Sequence, residues 1–331
     1  MGAYAVLGAT SWGLTLARLL LANGHRVTIL VRHEAEQADL ATRRGIARLP
    51  EVILPPAVDI IPVATTTAAF DGLVVAVPAQ SVRANATALA VPRSVPILSA
   101  AKGIELATGA LMSDIFVDAG WEPALVSVIS GPNLAHEIAR GLPAAAVVAA
   151  SDQSRAAAWQ TALSGGAFRV YRSEDVAGVE VGGALKNVIA IAAGAAVGMG
   201  FGSNAVAAIM TRGLAEITRL GVALGARPLT FQGLAGVGDL AATCFSPLSR
   251  NRRFGELLAA GRTATEAAAE IGESVEGAFT APIALSLGRH HGVELPISEQ
   301  VVAVIEGRAT VPEAMSRLLS RELRPEASFG G

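Results

Sequence analysis

Over the first ~173 residues, short β-branched runs alternate with helical stretches, and after Arg172 the strand signals stop. That alternation is the pattern of a parallel sheet wrapped by helices. "YAVLG" reads as a strand leading into a turn. Ser11 to Leu21 reads as a helix ended by Asn23-Gly24, and "RVTIL" as the second strand. "GLVVAVP" (72–78), "VPILSA" (95–100), "LVSVIS" (125–130), "AAAVVAAS" (144–151) and "FRVY" (168–171) follow as candidate strands. Several are apolar throughout, as strands covered on both faces are. The remainder reads as helices. "TATE" (263–266) and "TVPE" (310–313) each fit a capping box, and Arg317, Arg321 and Arg324 lie toward the end of the second segment, where the helix dipole favours cations.

With 331 residues, 52% hydrophobic and 16% charged, the chain has enough apolar content for two globular domains. A net charge of −2 gives no reason to expect nucleic acid or an anionic membrane as a partner. Cys244 is the single cysteine, so no internal disulfide forms. "MGAYAVLG" lacks the basic region and cleavage site of a signal peptide, and Val6 breaks the myristoylation pattern; a cytoplasmic location is expected. The segment from Asn187 to Thr211 has no charged residue, but it is alanine-rich and interrupted by Gly194, Gly198, Gly200 and Gly202. It is expected to be buried helix broken at glycine, not a membrane span.

"VLGATSWG" follows the first strand and opens the first helix. In the fingerprint G-x-G-x-x-G, glycines serve the tight turn, the approach of a pyrophosphate and the packing of helix on strand. Gly8 and Gly13 hold the first and third positions and Thr10 the second, where its side chain is expected to crowd the pyrophosphate. Ser11 and Trp12 open the helix. At the end of the second strand an acidic residue would favour NAD. The sequence gives Arg32 and His33 there, and Arg32 suits a 2′-phosphate. This leans toward NADP without excluding NAD, and Arg32 also reads as a plain solvated residue. The fold expected is α/β: a Rossmann-like dinucleotide-binding domain over residues 1–173, then an all-helical substrate-binding and catalytic domain over 174–331, with a cleft between them.

Of 26 basic residues only Lys102 and Lys186 are lysine. Arginine stays charged, whereas burial or a nearby cation lowers the pKa of lysine. Lysine in an arginine-rich chain therefore marks places where arginine does not serve. Lys102 lies in "SAAKGIE", just past a strand end. Lys186 lies in "GALKNVIAIAAG", early in the first helix of the second half. Two lysines facing one cleft would bind an anionic, carbonyl-bearing substrate; taken singly, each also fits a snorkelling side chain. "SGPNLAHEIARG" (130–141) can present backbone N–H groups at a helix start. Asp239 in "GLAGVGDLAATC" needs a partner, and a lysine is the natural one. "SRNRR" (249–253) reads as a phosphate clamp or as a solvated basic turn. "HEIAR" lacks the second histidine of the zinc motif, so no metal is expected. His290 and His291 are expected to cap or follow a helix at the surface.

Taken together, "LGATSWG", "AAKGIE", "SGPNLAHEIARGLPAAAVVA", "VGGALKNVIAIAAG", "FQGLAGVGDLAATC", "SRNRRFG", "SVEG" and "ELPISEQV" run in order along nearly the whole chain. In these segments the chain resembles the bacterial NAD(P)-dependent glycerol-3-phosphate dehydrogenases. The resemblance implies reversible reduction of dihydroxyacetone phosphate to sn-glycerol 3-phosphate with NADP or NAD, feeding phospholipid synthesis. It implies Lys186 as general acid/base, Asp239 orienting it, and Lys102 touching both cofactor and substrate. Gly131, Asn133, Ser249, Arg250 and Asn251 would hold substrate, the phosphate chiefly through Arg250 and Asn251. Gly8, Thr10, Ser11, Trp12, Gly13, Arg32, His33, Ala135, Arg250, Val275 and Glu276 would contact the dinucleotide. A small-molecule substrate is thus implied, with no nucleic acid or membrane insertion, and the oligomeric state is open between monomer and homodimer. Three positions depart from the family: Thr10 replaces a glycine, Asn133 a serine or threonine, and Val197 an aspartate, the last a change that could disturb a loop near the cleft. A related two-domain hydroxyacid dehydrogenase, or a non-catalytic dinucleotide-binding paralogue, stands as the alternative.

Overall fold

The computed structural model describes residues 1–66, 68–323 and 325. The chain divides into two compact units, one of residues 1–102 and 110–180, the other of residues 103–109 and 181–331.

The first unit is built on one sheet of eight strands: β1 (Ala3–Leu7), β2 (Arg26–Val31), β3 (Asp59–Pro62), β4 (Gly72–Val75), β5 (Ile97–Ser99), β6 (Val126–Ser130), β7 (Ala144–Ala150) and β8 (Phe168–Ser173). Their order is β3-β2-β1-β4-β5-β6-β7-β8, so the chain reverses its direction of travel across the sheet between β1 and β4. That switch point is where an open α/β sheet receives a ligand. The sheet is not wholly parallel: β7 runs antiparallel to β6, pairing Ser130 with Val147, and β8 then runs parallel to β7. A uniform apolar run such as "AAAVVAA" reports burial on both faces, and burial does not encode direction.

Both faces are covered, as the apolar strands require. Along β1, Val6 joins one core cluster while Ala5 and Leu7 join the other. Leu14, Leu16 and Leu20 of helix Ser11–Ala22 and Trp159 and Leu163 of helix Gln153–Leu163 fill the first cluster. Val82 and Ala86 of helix Val82–Ala88 and Ile115 and Phe116 of helix Met112–Asp118 fill the second.

Among the described residues no strand follows Ser173. Helix Val176–Gly198 is long and apolar enough to cross a membrane, yet 78% of its most apolar window is buried inside the protein. Gly200, with φ +81°, separates it from helix Ser203–Ala223. Lys186 falls near the middle of the first of these, because the helix begins at Val176. Val197 also lies within it, in the last turn before Gly200. Both capping boxes form: Thr263 with Glu266 and Thr310 with Glu313 exchange side-chain and backbone hydrogen bonds. Arg317 lies in the last turn of helix Val311–Leu319, Arg321 pairs with Glu294 at 3.2 Å, and Arg324 lies outside the described residues. Glu216 anchors helix Pro296–Ile305 by accepting from Ile297 N, Ser298 N and Ser298 Oγ. His290 and His291 are exposed at the end of helix Glu276–His290.

Candidate active site

In the first unit the glycine turn leaves β1 at its C-terminal end. Gly8 has φ +107°, and its N–H donates to Leu30 O of β2 at 3.1 Å. A Cβ on Gly13 would stand 2.2 Å from Gly8 O, so only glycine lets the helix start so close to the turn. Thr10 has φ −90°, which any residue adopts, and it caps the helix. Its Oγ1 accepts from Gly13 N at 3.0 Å and donates to Ala76 O at 2.8 Å. The hydroxyl is therefore committed to the protein. Leu14 N donates to Thr10 O, which leaves the N–H groups of Ser11 and Trp12 as the ones to face an anion. The Trp12 ring packs edge-on to Phe168 with centroids 6.4 Å apart, and its Nε1 is buried without a partner. Arg48, which the sequence did not single out, reaches Ala9 O of the same turn at 3.5 Å.

Arg32 directly follows β2, and 70% of its side chain is exposed. His33 caps helix Glu34–Arg43 through Nδ1, which accepts from Glu36 N. Beyond β5, Lys102 Nζ donates to Gly131 O at 2.8 Å. Gly131 follows β6 with φ +137°, and a Cβ there would stand 2.9 Å from Ala146 Cα. Two residues on, both polar atoms of the Asn133 carboxamide are buried with no hydrogen-bond partner. Buried amides without partners are uncommon, and one donor and one acceptor side by side suit a polar ligand. Ala135 opens the short helix Ala135–Ala139. The glycine turn, Lys102, Gly131 and Asn133 thus all follow C-terminal strand ends.

The second unit holds the other lysine. Lys186 is 7% exposed and donates from Nζ to Asp239 Oδ1 and to Thr243 Oγ1, the latter at 2.8 Å. Asp239 is 1% exposed and opens helix Asp239–Phe245. Gly182 precedes Lys186 by one helical turn on the same face. A Cβ on Gly182 would stand 2.5 Å from Ala235 O, so glycine allows the long helix to lie against the wide turn Leu234–Gly238 that delivers Asp239. Thr243, one turn after Asp239, was not singled out by the sequence; its spacing within "GDLAATC" was the available signal. Cys244 is buried, and burial pushes its thiol up to about 12, so it stays a packed thiol.

The "SRNRR" segment divides its labour. Ser249 caps helix Arg250–Ala259, its Oγ accepting from Arg252 N at 3.2 Å. Arg250 is half-exposed and pairs with Glu273 at 3.2 Å. Asn251 is buried: Nδ2 donates to Asn187 Oδ1, and Oδ1 accepts from Gly277 N, both at 2.9 Å. Asn187, the neighbour of Lys186, was likewise missed. Gly277 and Glu276 open helix Glu276–His290, with the buried Val275 at its cap and Ser274 Oγ donating to Glu276 at 3.1 Å.

Two family models match in chain order: the NAD-dependent glycerol-3-phosphate dehydrogenase N-terminus over residues 3–156 and the C-terminus of the same family over residues 175–316. The chain belongs to the NAD-dependent glycerol-3-phosphate dehydrogenase family. Within it, the chain is 48% identical over 330 residues to glycerol-3-phosphate dehydrogenase [NAD(P)+] 2 of Mycobacterium bovis, covering 97% of this chain and 98% of that one. It is 47% identical to glycerol-3-phosphate dehydrogenase [NAD(P)+] of Nocardia farcinica, covering 97% and 99%. The crystal structure of glycerol-3-phosphate dehydrogenase from Coxiella burnetii superposes with a TM-score of 0.91 at 32% identity, covering 97% and 99%.

Proposed function

We propose that this chain interconverts dihydroxyacetone phosphate and sn-glycerol 3-phosphate with NAD(P)H, as a soluble cytoplasmic enzyme supplying phospholipid synthesis. Residues 1–173 would hold the dinucleotide and residues 174–331 would supply the proton-transferring group. The observation that carries this reading is the buried Lys186 ammonium, fixed by Asp239 and Thr243.

The first unit fits a dinucleotide. Its glycine turn lies at the switch point of the sheet, and the Ser11 and Trp12 N–H groups head a twelve-residue helix, a setting suited to a pyrophosphate. A bound, reduced nicotinamide supplies the hydride. The protein must then place the substrate, exclude water and manage one proton. Lys186 has three N–H donors and uses two on Asp239 and Thr243. The third is left for the substrate oxygen. As hydride reaches the ketone carbon, Lys186 passes that proton to the oxygen, and in reverse it receives the hydroxyl proton. Thr243 donates its own hydrogen to Asp239 O at 2.6 Å, so toward Lys186 it can only accept. Both partners therefore fix the direction of the ammonium. Lys102 and Asn133 would take substrate oxygens. Arg250, Ser249 and the second amide hydrogen of Asn251 would take the phosphate.

The test is an absorbance assay of purified protein with dihydroxyacetone phosphate and NADH or NADPH. Consumption of reduced cofactor that depends on the phosphate ester supports the reading. No consumption with either cofactor removes it.

A further inference from the structure

The turn after β2 carries an acid beside Arg32 and His33. Arg32 suggested a 2′-phosphate reader, yet its guanidinium is not alone. Glu36 Oε2 accepts from Arg32 Nε at 3.2 Å and from Arg32 N at 3.0 Å. The Glu36 side chain is only 24% exposed, against 70% for Arg32. Glu36 N donates to His33 Nδ1, so His33 caps the first turn of helix Glu34–Arg43 that carries the carboxylate. Position follows from the sheet. Leu7 pairs with Leu30, and Gly8 N bonds Leu30 O, so the strand end bearing Arg32 lies directly beside the glycine turn.

In a sheet of this kind, the residue at the end of the second strand meets the adenosine ribose, and a carboxylate there accepts from the 2′-hydroxyl. The sequence puts no acid at that strand end, but the fold returns one from a helical turn later. Glu36 Oε1 takes neither of the two Arg32 bonds, which leaves it as the acceptor for a hydroxyl. A 2′-phosphate would instead meet the fixed negative charge of Glu36, with only the outer Nη donors of Arg32 to set against it.

We propose that Glu36 is the residue that reads the ribose and makes NADH the preferred cofactor, with Arg32 acting as its clamp. This rests on the dehydrogenase reading above and refines it.

The test is calorimetric titration of NADH and of NADPH into the full chain without substrate, for wild type, Glu36→Gln and Glu36→Asp. Wild type should bind NADH more tightly. In Glu36→Gln the ratio of Kd for NADPH to Kd for NADH should fall about tenfold, while Glu36→Asp, which keeps the charge, should keep NADH ahead. A ratio in Glu36→Gln within about twofold of wild type, with a melting curve showing the variant folded, overturns the inference. So does a folded Glu36→Asp that behaves like Glu36→Gln. Wild type that binds neither dinucleotide overturns the dehydrogenase reading and this inference with it.

Discussion

Thr243 accepts from Lys186 Nζ at 2.8 Å while donating its only proton to the Asp239 carbonyl at 2.6 Å. The hydroxyl is thereby locked as an acceptor, and the lysine is aimed by two oxygens from one turn of helix. Thr243→Val keeps the shape and removes the acceptor. It should lower kcat about 10- to 100-fold with dinucleotide Kd unchanged, and Thr243→Ser should restore most of the loss. Steady-state kinetics on the three proteins checks this; a valine variant with wild-type kcat would remove Thr243 from the mechanism.

Asn133 places a donor and an acceptor where the protein satisfies neither. Asn133→Ala should raise KM for dihydroxyacetone phosphate about tenfold, with a smaller effect on the KM for NADH. An unchanged KM for the phosphate ester would show that the amide faces something else.

Thr10 occupies Gly13 N, one of the N–H groups at the start of the first helix. Thr10→Gly returns that N–H and costs a few tenths of a kcal/mol of helix capping, plus the lost bond to Ala76 O. Dinucleotide binding should tighten about two- to fivefold, with a small fall in Tm. Weaker binding would mean that the threonine helps shape the turn.

The residues legible in the sequence differ in kind from those it hid. Gly8 and Gly13 were readable because a tight turn and a close approach demand glycine whatever surrounds them. Lys186 and Asp239 were readable as two charges in apolar settings that had to meet. Thr243 and Asn187 were not, since a threonine or asparagine in a helix becomes informative only when its partner is placed. Glu36 was hidden for the same reason: along the chain it lies past the strand end, and the helical turn brings it back. Strand Asp59–Pro62 escaped because it is four residues long, ends in proline and forms the sheet edge, where little periodicity accumulates.

Glu180, buried in helix Val176–Gly198, accepts from Ser113 N at 2.9 Å and from Ser113 Oγ, and burial pushes its carboxyl from 4.5 up to about 7. Below the unfolded value the carboxyl is protonated in both states. Above it the unfolded chain loses the proton first, so the folded state loses relative stability as pH rises toward and through about 7. Glu180→Gln should flatten that slope and be more stable than wild type at pH 8 by about 1–3 kcal/mol. Urea melts at several pH values check this, and parallel pH profiles for the two proteins would contradict it.

The central claim is that Lys186 carries the proton. It is tested most directly by single-turnover reduction of dihydroxyacetone phosphate in Lys186→Arg and Lys186→Gln, with dinucleotide affinity measured on the same samples. Arginine keeps the charge but does not release a proton. Both variants should lose at least about a hundredfold in the rate of the chemical step while binding the dinucleotide as wild type does. Wild-type turnover in either folded variant would contradict the account.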